Sequence, residues 1–149
     1  MLRFTFCVLC LPLFSLAQQN KLAISAPNPL TIQRGATVVQ KLQVEVLPGF
    51  HVNSDHPKDE YLIPLKLTWQ GGPLQTKSVS FPSPEEIRVG NENLLVFTGT
   101  FDIRTEFSAP ASAPVGSTTM TGKLRYQACS NQMCFRPASI EVKLPVTVE

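Results

Sequence analysis

Ile140-Glu141-Val142-Lys143-Leu144-Pro145-Val146-Thr147-Val148-Glu149 puts five apolar residues on one parity and Glu141, Lys143, Pro145, Thr147 and Glu149 on the other. Successive side chains of a β-strand point to opposite faces, so this stretch reads as a strand with one buried and one wet face. Pro145, which has no amide donor, points to a sheet edge. The same parity runs through Leu95, Phe97, Gly99, Phe101 and Ile103, read as one strand, and through Ile63, Leu65, Leu67 and Trp69. Val38, Leu42, Val44 and Val46 form another strand, and Met120, Gly122, Leu124, Tyr126 and Ala128 form the one that leads into Cys129. Leu22 to Ser25, Phe50 to Asn53 and Leu74 to Phe81 are shorter candidates.

Turn formers separate these runs: Pro27-Asn28-Pro29, Arg34-Gly35, Pro48-Gly49, Gly71-Gly72-Pro73, Pro82-Ser83-Pro84 and Gly90-Asn91. The 13 prolines are spread along the chain and leave no room for a long amphipathic helix. Short strands with this punctuation predict an all-β fold, an antiparallel immunoglobulin-like β-sandwich of seven to nine strands. Ser108 to Ser117, rich in alanine and proline, reads as a long strand-to-strand connection, because neither flank has enough strands for a sandwich of its own.

The amino terminus predicts export. Arg3 precedes an apolar run from Phe4 to Leu16, and Ser15-Leu16-Ala17 supplies the small residues a signal peptidase needs. The run is shorter than the ~20 residues of a spanning helix. Residues 1–17 are therefore read as a signal peptide cleaved near Ala17, and 18–149 as one domain in the periplasm or otherwise outside the cytoplasm. Cys7 and Cys10 leave with the signal. The formal net charge of +2 predicts neither a nucleic-acid footprint nor a basic membrane patch, and no second apolar segment approaches spanning length.

Cys129 and Cys134 then remain, in Tyr126-Gln127-Ala128-Cys129-Ser130-Asn131-Gln132-Met133-Cys134-Phe135-Arg136-Pro137. Such a pair in an exported domain is an inert staple, a metal clamp or a working redox couple. Closing so short a loop removes only about 2 kcal/mol of unfolded-state entropy, so a purely structural bridge does little for a sandwich with its own core. Parity turns Met120, Leu124, Tyr126 and Ala128 inward and Arg125, Gln127 and Cys129 outward or toward a cleft. The polar Ser130-Asn131-Gln132 suits a surface loop with the two α-carbons near ~5.5 Å. Arg125 and Arg136 nearby favour a thiolate.

These residues resemble a known family, the N-terminal periplasmic domain of the thiol:disulfide interchange protein DsbD. The resemblance is carried by Leu124-Arg125-Tyr126-Gln127-Ala128-Cys129, by Cys134 with Pro137, and by the closing strand Ile140 to Val148. A second block, Gly49 to Ser54 with Pro57, Asp59, Glu60 and Leu62-Ile63-Pro64, supports it. The resemblance implies a thiol:disulfide oxidoreductase domain without cofactor or bound metal. Its pair, Cys129 and Cys134, is reduced by a separate membrane-embedded thiol reductase. It then passes electrons to thioredoxin-like periplasmic proteins such as disulfide isomerases or cytochrome c maturation factors. By the same analogy Cys134 carries the mixed disulfide and Cys129 resolves it.

The chain departs from the family in having four residues between the cysteines where well-known members have five. It also lacks an aromatic residue in Pro84 to Gly90, where the family carries an aromatic cap; Ile87 or Val89 is the candidate shield. His51 falls where other members carry a tyrosine and is read as a group near the thiols that assists proton transfer or stabilises a thiolate. Asn53 and Tyr126 are further supporting candidates. Two other function classes remain open: a passive binding or adhesion sandwich with a structural disulfide, and a copper module using Cys129, Cys134, Met133, His51 and His56. Ser54-Asp55-His56 is no triad, since neighbours on a strand alternate faces.

Overall fold

The computed structural model describes residues 20–149. The signal peptide expected over 1–17, with Cys7 and Cys10, lies outside the described residues. Twelve strands follow one another: β1 (Leu22–Ile24), β2 (Leu30–Ile32), β3 (Thr37–Val46), β4 (His51–Asn53), β5 (Lys66–Gln70), β6 (Gln75–Ser80), β7 (Glu85–Val89), β8 (Glu92–Phe97), β9 (Thr100–Ser108), β10 (Gly116–Tyr126), β11 (Ala128–Cys129) and β12 (Ala138–Val148). The count exceeds seven to nine because two expected strands divide, β8 from β9 at Gly99 and β10 from β11 at Gln127, and because β2 and β7 are not among the expected runs. No helix occurs among the described residues.

Three four-stranded sheets result, in the orders β1-β3-β9-β6, β2-β12-β10-β5 and β11-β4-β8-β7. Every pairing is antiparallel except β2 with β12, which is parallel. The long ladder of β10 with β12 runs from Gly116↔Val148 to Tyr126↔Ala138 and builds the face that parity predicts, with Val142, Leu144, Val146 and Val148 buried. β12 is not a plain edge strand. β2 pairs with it only at Val146–Val148, so its outer flank is unpaired up to Pro145, where a missing amide costs no ladder bond.

The first two sheets enclose a core of Leu42, Val44, Ile103, Leu124 and Val142, joined by Val52 and Phe97 of the third sheet. Trp69 of β5 bridges the two faces: its Nε1 donates to Thr105 Oγ1 at 3.0 Å, and its ring meets Phe107 edge-on at 5.3 Å. Gly122, opposite Trp69 in the ladder, makes room for that ring, since a Cβ there would lie 2.9 Å from it.

The run from Leu95 to Ile103, expected as one strand, is two. β8 ends at Phe97, Gly99 turns at φ 59°, and β9 starts in a different sheet. Phe97 and Ile103, of one parity, both reach the core, which is why alternation alone does not reveal the turn, although in β8 Leu94 and Val96 of the other parity are buried and Leu95 only partly so. The segment from Ala109 to Val115 connects β9 to β10 across the sandwich, as its composition suggests. It is anchored by buried Ala109 and Ala113 and by Arg34 Nε donating to Ala113 O at 2.7 Å.

Candidate functional site

β10 leaves its sheet at Tyr126, and two residues later β11 pairs with β4 in the third sheet, Ala128 opposite Val52 and Cys129 opposite His51. This change of partner decides between the two parity readings of Cys129, which faces the cleft and not solvent. Tyr126, Ala128 and Cys129 are all buried, Cys129 at 1% exposure, because the chain is repositioned at Gln127 and alternation no longer carries through. Cys134 is exposed. The two cysteines are joined by a disulfide, and their α-carbons lie 3.9 Å apart, closer than the ~5.5 Å expected, because they face each other as an antiparallel bridge.

Local hydrogen bonds close the loop between them. Ser130 N donates to Met133 O at 2.8 Å, and Ser130 Oγ accepts from the amides of Gln132 and Met133, each at 3.2 Å. Phe135 N donates to Ala128 O at 2.8 Å. Gln127, expected to point away, ties this loop to the rest of the site. Its Nε2 donates to Phe135 O at 3.2 Å, while its Oε1 accepts from Asn53 Nδ2 at 3.1 Å and from Ile63 N at 3.2 Å. Asn53 Nδ2 also donates to Ile63 O at 3.0 Å. Asn53 is thus a buried clamp beneath the cysteine loop, not a group at the sulfurs.

A pocket of about 220 Å³ opens at the disulfide, lined by the 129–134 loop and by His51, Tyr61, Leu62, Val89, Glu92 and Leu94. His51 is 3% exposed, which excludes a surface role, and its Nε2 is buried without a hydrogen-bond partner. Loss of hydration on burial lowers its pKa from 6.5, so the imidazole is neutral at pH 7. Ile87 does not reach the sulfurs. It packs with Leu62, Leu94 and Val96, and Val89, one step further along the same face of β7, lines the pocket instead.

The aromatic side chain at the rim is Tyr61, from the loop after β4. It is 64% exposed, and its hydroxyl donates to Glu92 at 3.1 Å, a bond that raises the tyrosine pKa from 10.0. Sequence reasoning passed over it between Glu60 and Leu62, and only the fold shows that this loop brings an aromatic ring to the pocket, beside Val89 from the Pro84 to Gly90 stretch.

Tyr126 lies on the other side of the cysteine loop, where it lines a groove of about 350 Å³ with Lys21, Phe135 and Arg136. Burial raises its hydroxyl pKa from 10.0. Neither Arg125 nor Arg136 lines the sulfur pocket, so the expected cationic help for a thiolate is not located there; its charged lining group is Glu92. The copper donor set is only partly gathered, since His56 points to solvent and pairs with Asp55 at 2.6 Å. Among the described residues no three His, Cys, Asp or Glu side chains cluster as a metal site, and no helix is long and apolar enough to cross a membrane.

Residues 19–145 match the family described as thiol:disulfide interchange protein DsbD, N-terminal. No curated protein sequence matches the chain. Among solved structures, the N-terminal periplasmic domain of ScsB from Proteus mirabilis superposes with a TM-score of 0.58 at 18% identity, over 83% of this chain and 44% of that one. The chain therefore spans under half the length of that relative. The reduced N-terminal domain of Neisseria meningitidis DsbD gives a TM-score of 0.48 at 15% identity, over 76% of this chain and 82% of that one. The family match runs through both cysteines and all but the last few described residues, and on that evidence the chain belongs to the family of DsbD N-terminal domains.

Proposed function

We propose that Cys129 and Cys134 form a redox couple that opens and closes in thiol-disulfide exchange with protein partners. The observation that carries this reading is the unequal setting of the two bonded residues, with Cys134 exposed in a surface loop and Cys129 buried at its base. An attacking or attacked sulfur must be accessible, whereas a resolving sulfur need only reach its neighbour. Cys134 accordingly carries the mixed disulfide, and Cys129 closes the ring and releases the partner.

The family supports the direction of the relay: electrons enter from a separate membrane-embedded thiol reductase and leave to thioredoxin-like proteins. Residues 1–17 then act as the export signal, and 18–149 work as a single periplasmic domain. Exposed Met133 and Tyr61, which flank the disulfide at 58% and 64% exposure, give a docking partner apolar contact at the rim.

A Cys129→Ala variant that keeps Cys134 tests the reading. It is expected to trap a thioredoxin-like protein as a mixed disulfide, while Cys134→Ala traps none. Equilibration of the wild type with a dithiol buffer is expected to give a potential less negative than about −300 mV. A more negative value would mark a structural bridge and reject the proposal.

A further inference from the structure

We infer that His51 is the proton acceptor for the Cys129 thiol in the resolving step. The inference rests on the exchange reading above and adds a residue and a proton path to it.

His51 and Cys129 are direct cross-strand partners in the pairing of β4 with β11. Directly opposed side chains share a face, with Cβ atoms about 4.5–5.5 Å apart, a gap that an imidazole and a thiol span together. Both residues line the same pocket. His51 Nε2 is buried and has no partner while the disulfide is closed. A buried polar atom left unpaired is costly and calls for an explanation. Reduction supplies one: the bridged Cys129 has no proton to donate, whereas its free thiol is a donor held opposite the vacant acceptor, with the imidazole proton on Nδ1.

The chemistry needs such a group. Only the thiolate attacks, and a thiol as buried as Cys129 holds its proton more tightly than a free one. The titratable groups that line the pocket with His51 are Tyr61 from the loop after β4, Glu92 of β8, and the two sulfurs. Tyr61 and Glu92 are bonded to each other, and no lysine or arginine is present. Asp55 and His56, downstream of β4, pair together outside the pocket. His51 is neutral because burial opposes its charge, so it is ready to accept a proton at pH 7.

The step balances as follows. With Cys134 linked to a thioredoxin-type partner, the Cys129 proton moves to His51 Nε2, and the Cys129 thiolate attacks Cys134 Sγ. The Cys129–Cys134 bond forms, the bond from Cys134 to the partner breaks, and the electron pair leaves on the partner's sulfur. That sulfur is then protonated. The chain's dithiol is oxidised, and the partner's disulfide is reduced by two electrons.

Reaction of the reduced full domain with dithiobis(nitrobenzoate) separates the two sulfurs. The first thionitrobenzoate released reports attack by Cys134, and the second reports resolution by Cys129. In the wild type the second phase is expected to inflect at or below pH 6.5, where His51 loses its proton. In His51→Gln and His51→Phe the first phase is expected to be unchanged. The second is expected to slow at least tenfold at pH 7 and to take an inflection above about 8.5, that of an unassisted thiol.

Folded variants that keep the wild-type second phase and its pH profile overturn the inference. If neither variant folds, a wild-type inflection above about 8.5 overturns it equally. A wild-type protein that releases no second equivalent fails differently, since it removes the exchange reading and this inference with it.

Discussion

The two ends of this sandwich bury different chemistry. Around Trp69 and Phe107 the sheets close over apolar side chains, with Met120, Leu144, Val146 and Val148 at 1% exposure or less. At the end that carries the disulfide, three polar residues within a stretch of four, His51, Asn53 and Ser54, are as deeply buried as the core. Buried polar groups do not stabilise a domain unless they are paired, and two atoms here, His51 Nε2 and Asn53 Oδ1, are not. The first end holds the fold together, and the second accepts a cost to hold His51 at the sulfur pocket and Asn53 beneath the cysteine loop. The contrast gives separable expectations for stability and for exchange.

The largest expected effect on stability lies at the apolar end. Phe107 is fully buried against the Trp69 ring, so Phe107→Ala is expected to cost about 3–5 kcal/mol in urea unfolding. Exchange per folded molecule should stay unchanged. If exchange falls in proportion while stability holds, the two ends are not independent. Removing both sulfurs in a Cys129→Ala, Cys134→Ala double variant should do the opposite. Exchange is abolished, yet closing a loop with a separation of 5 contributes only about 2 kcal/mol, so the domain should still fold. A double variant that does not fold would assign the bridge to structure.

Gln127→Ala sharpens the comparison at smaller cost. Its side chain bonds Phe135 O, Asn53 Nδ2 and Ile63 N, tying the cysteine loop to β4 and to the loop after it. Gln127 is half-buried, so water takes over part of these bonds and the expected loss is about 1 kcal/mol. Hydrogen exchange should speed at Ser130 and Phe135, whose amides close the loop, and not in the ladder of β10 with β12. Equal loosening in both places would mean that Gln127 supports the whole domain rather than the site.

The same division decides what could be read from the chain. Alternation in β3, β10 and β12 reports a face buried along one continuous sheet, and there period two identifies core residues one by one. It fails where the chain changes sheet. Gly99 hides a turn because the residues on either side return to one core, and at Gln127 the change of partner turns Cys129 to the cleft, a choice that parity leaves open. The cysteine pair was legible from its spacing, and the likeness to the DsbD N-terminal domain directed attention to His51. That His51 stands opposite Cys129 depends on pairing between strands far apart in the chain, which local pattern does not encode. Tyr61 was missed for a related reason: it is one exposed aromatic in a polar loop, given meaning only by where that loop ends.

The smallest expected effect is a pH dependence that belongs to the polar end alone. Burial lowers the His51 pKa in the folded state from the 6.5 of the unfolded chain. Well above pH 6.5 neither state binds this proton, and His51 adds no pH dependence. As pH falls below 6.5 the unfolded chain takes up a proton that the folded protein resists, so the oxidised domain loses stability. The loss grows until the pH passes below the lowered pKa, where both states are protonated. His51→Gln should flatten this part of the stability curve, from pH 7 down through the lowered pKa. A curve of unchanged shape in the variant would mean that water reaches the imidazole freely, and that the polar end is not the dry, costly site that its burial describes.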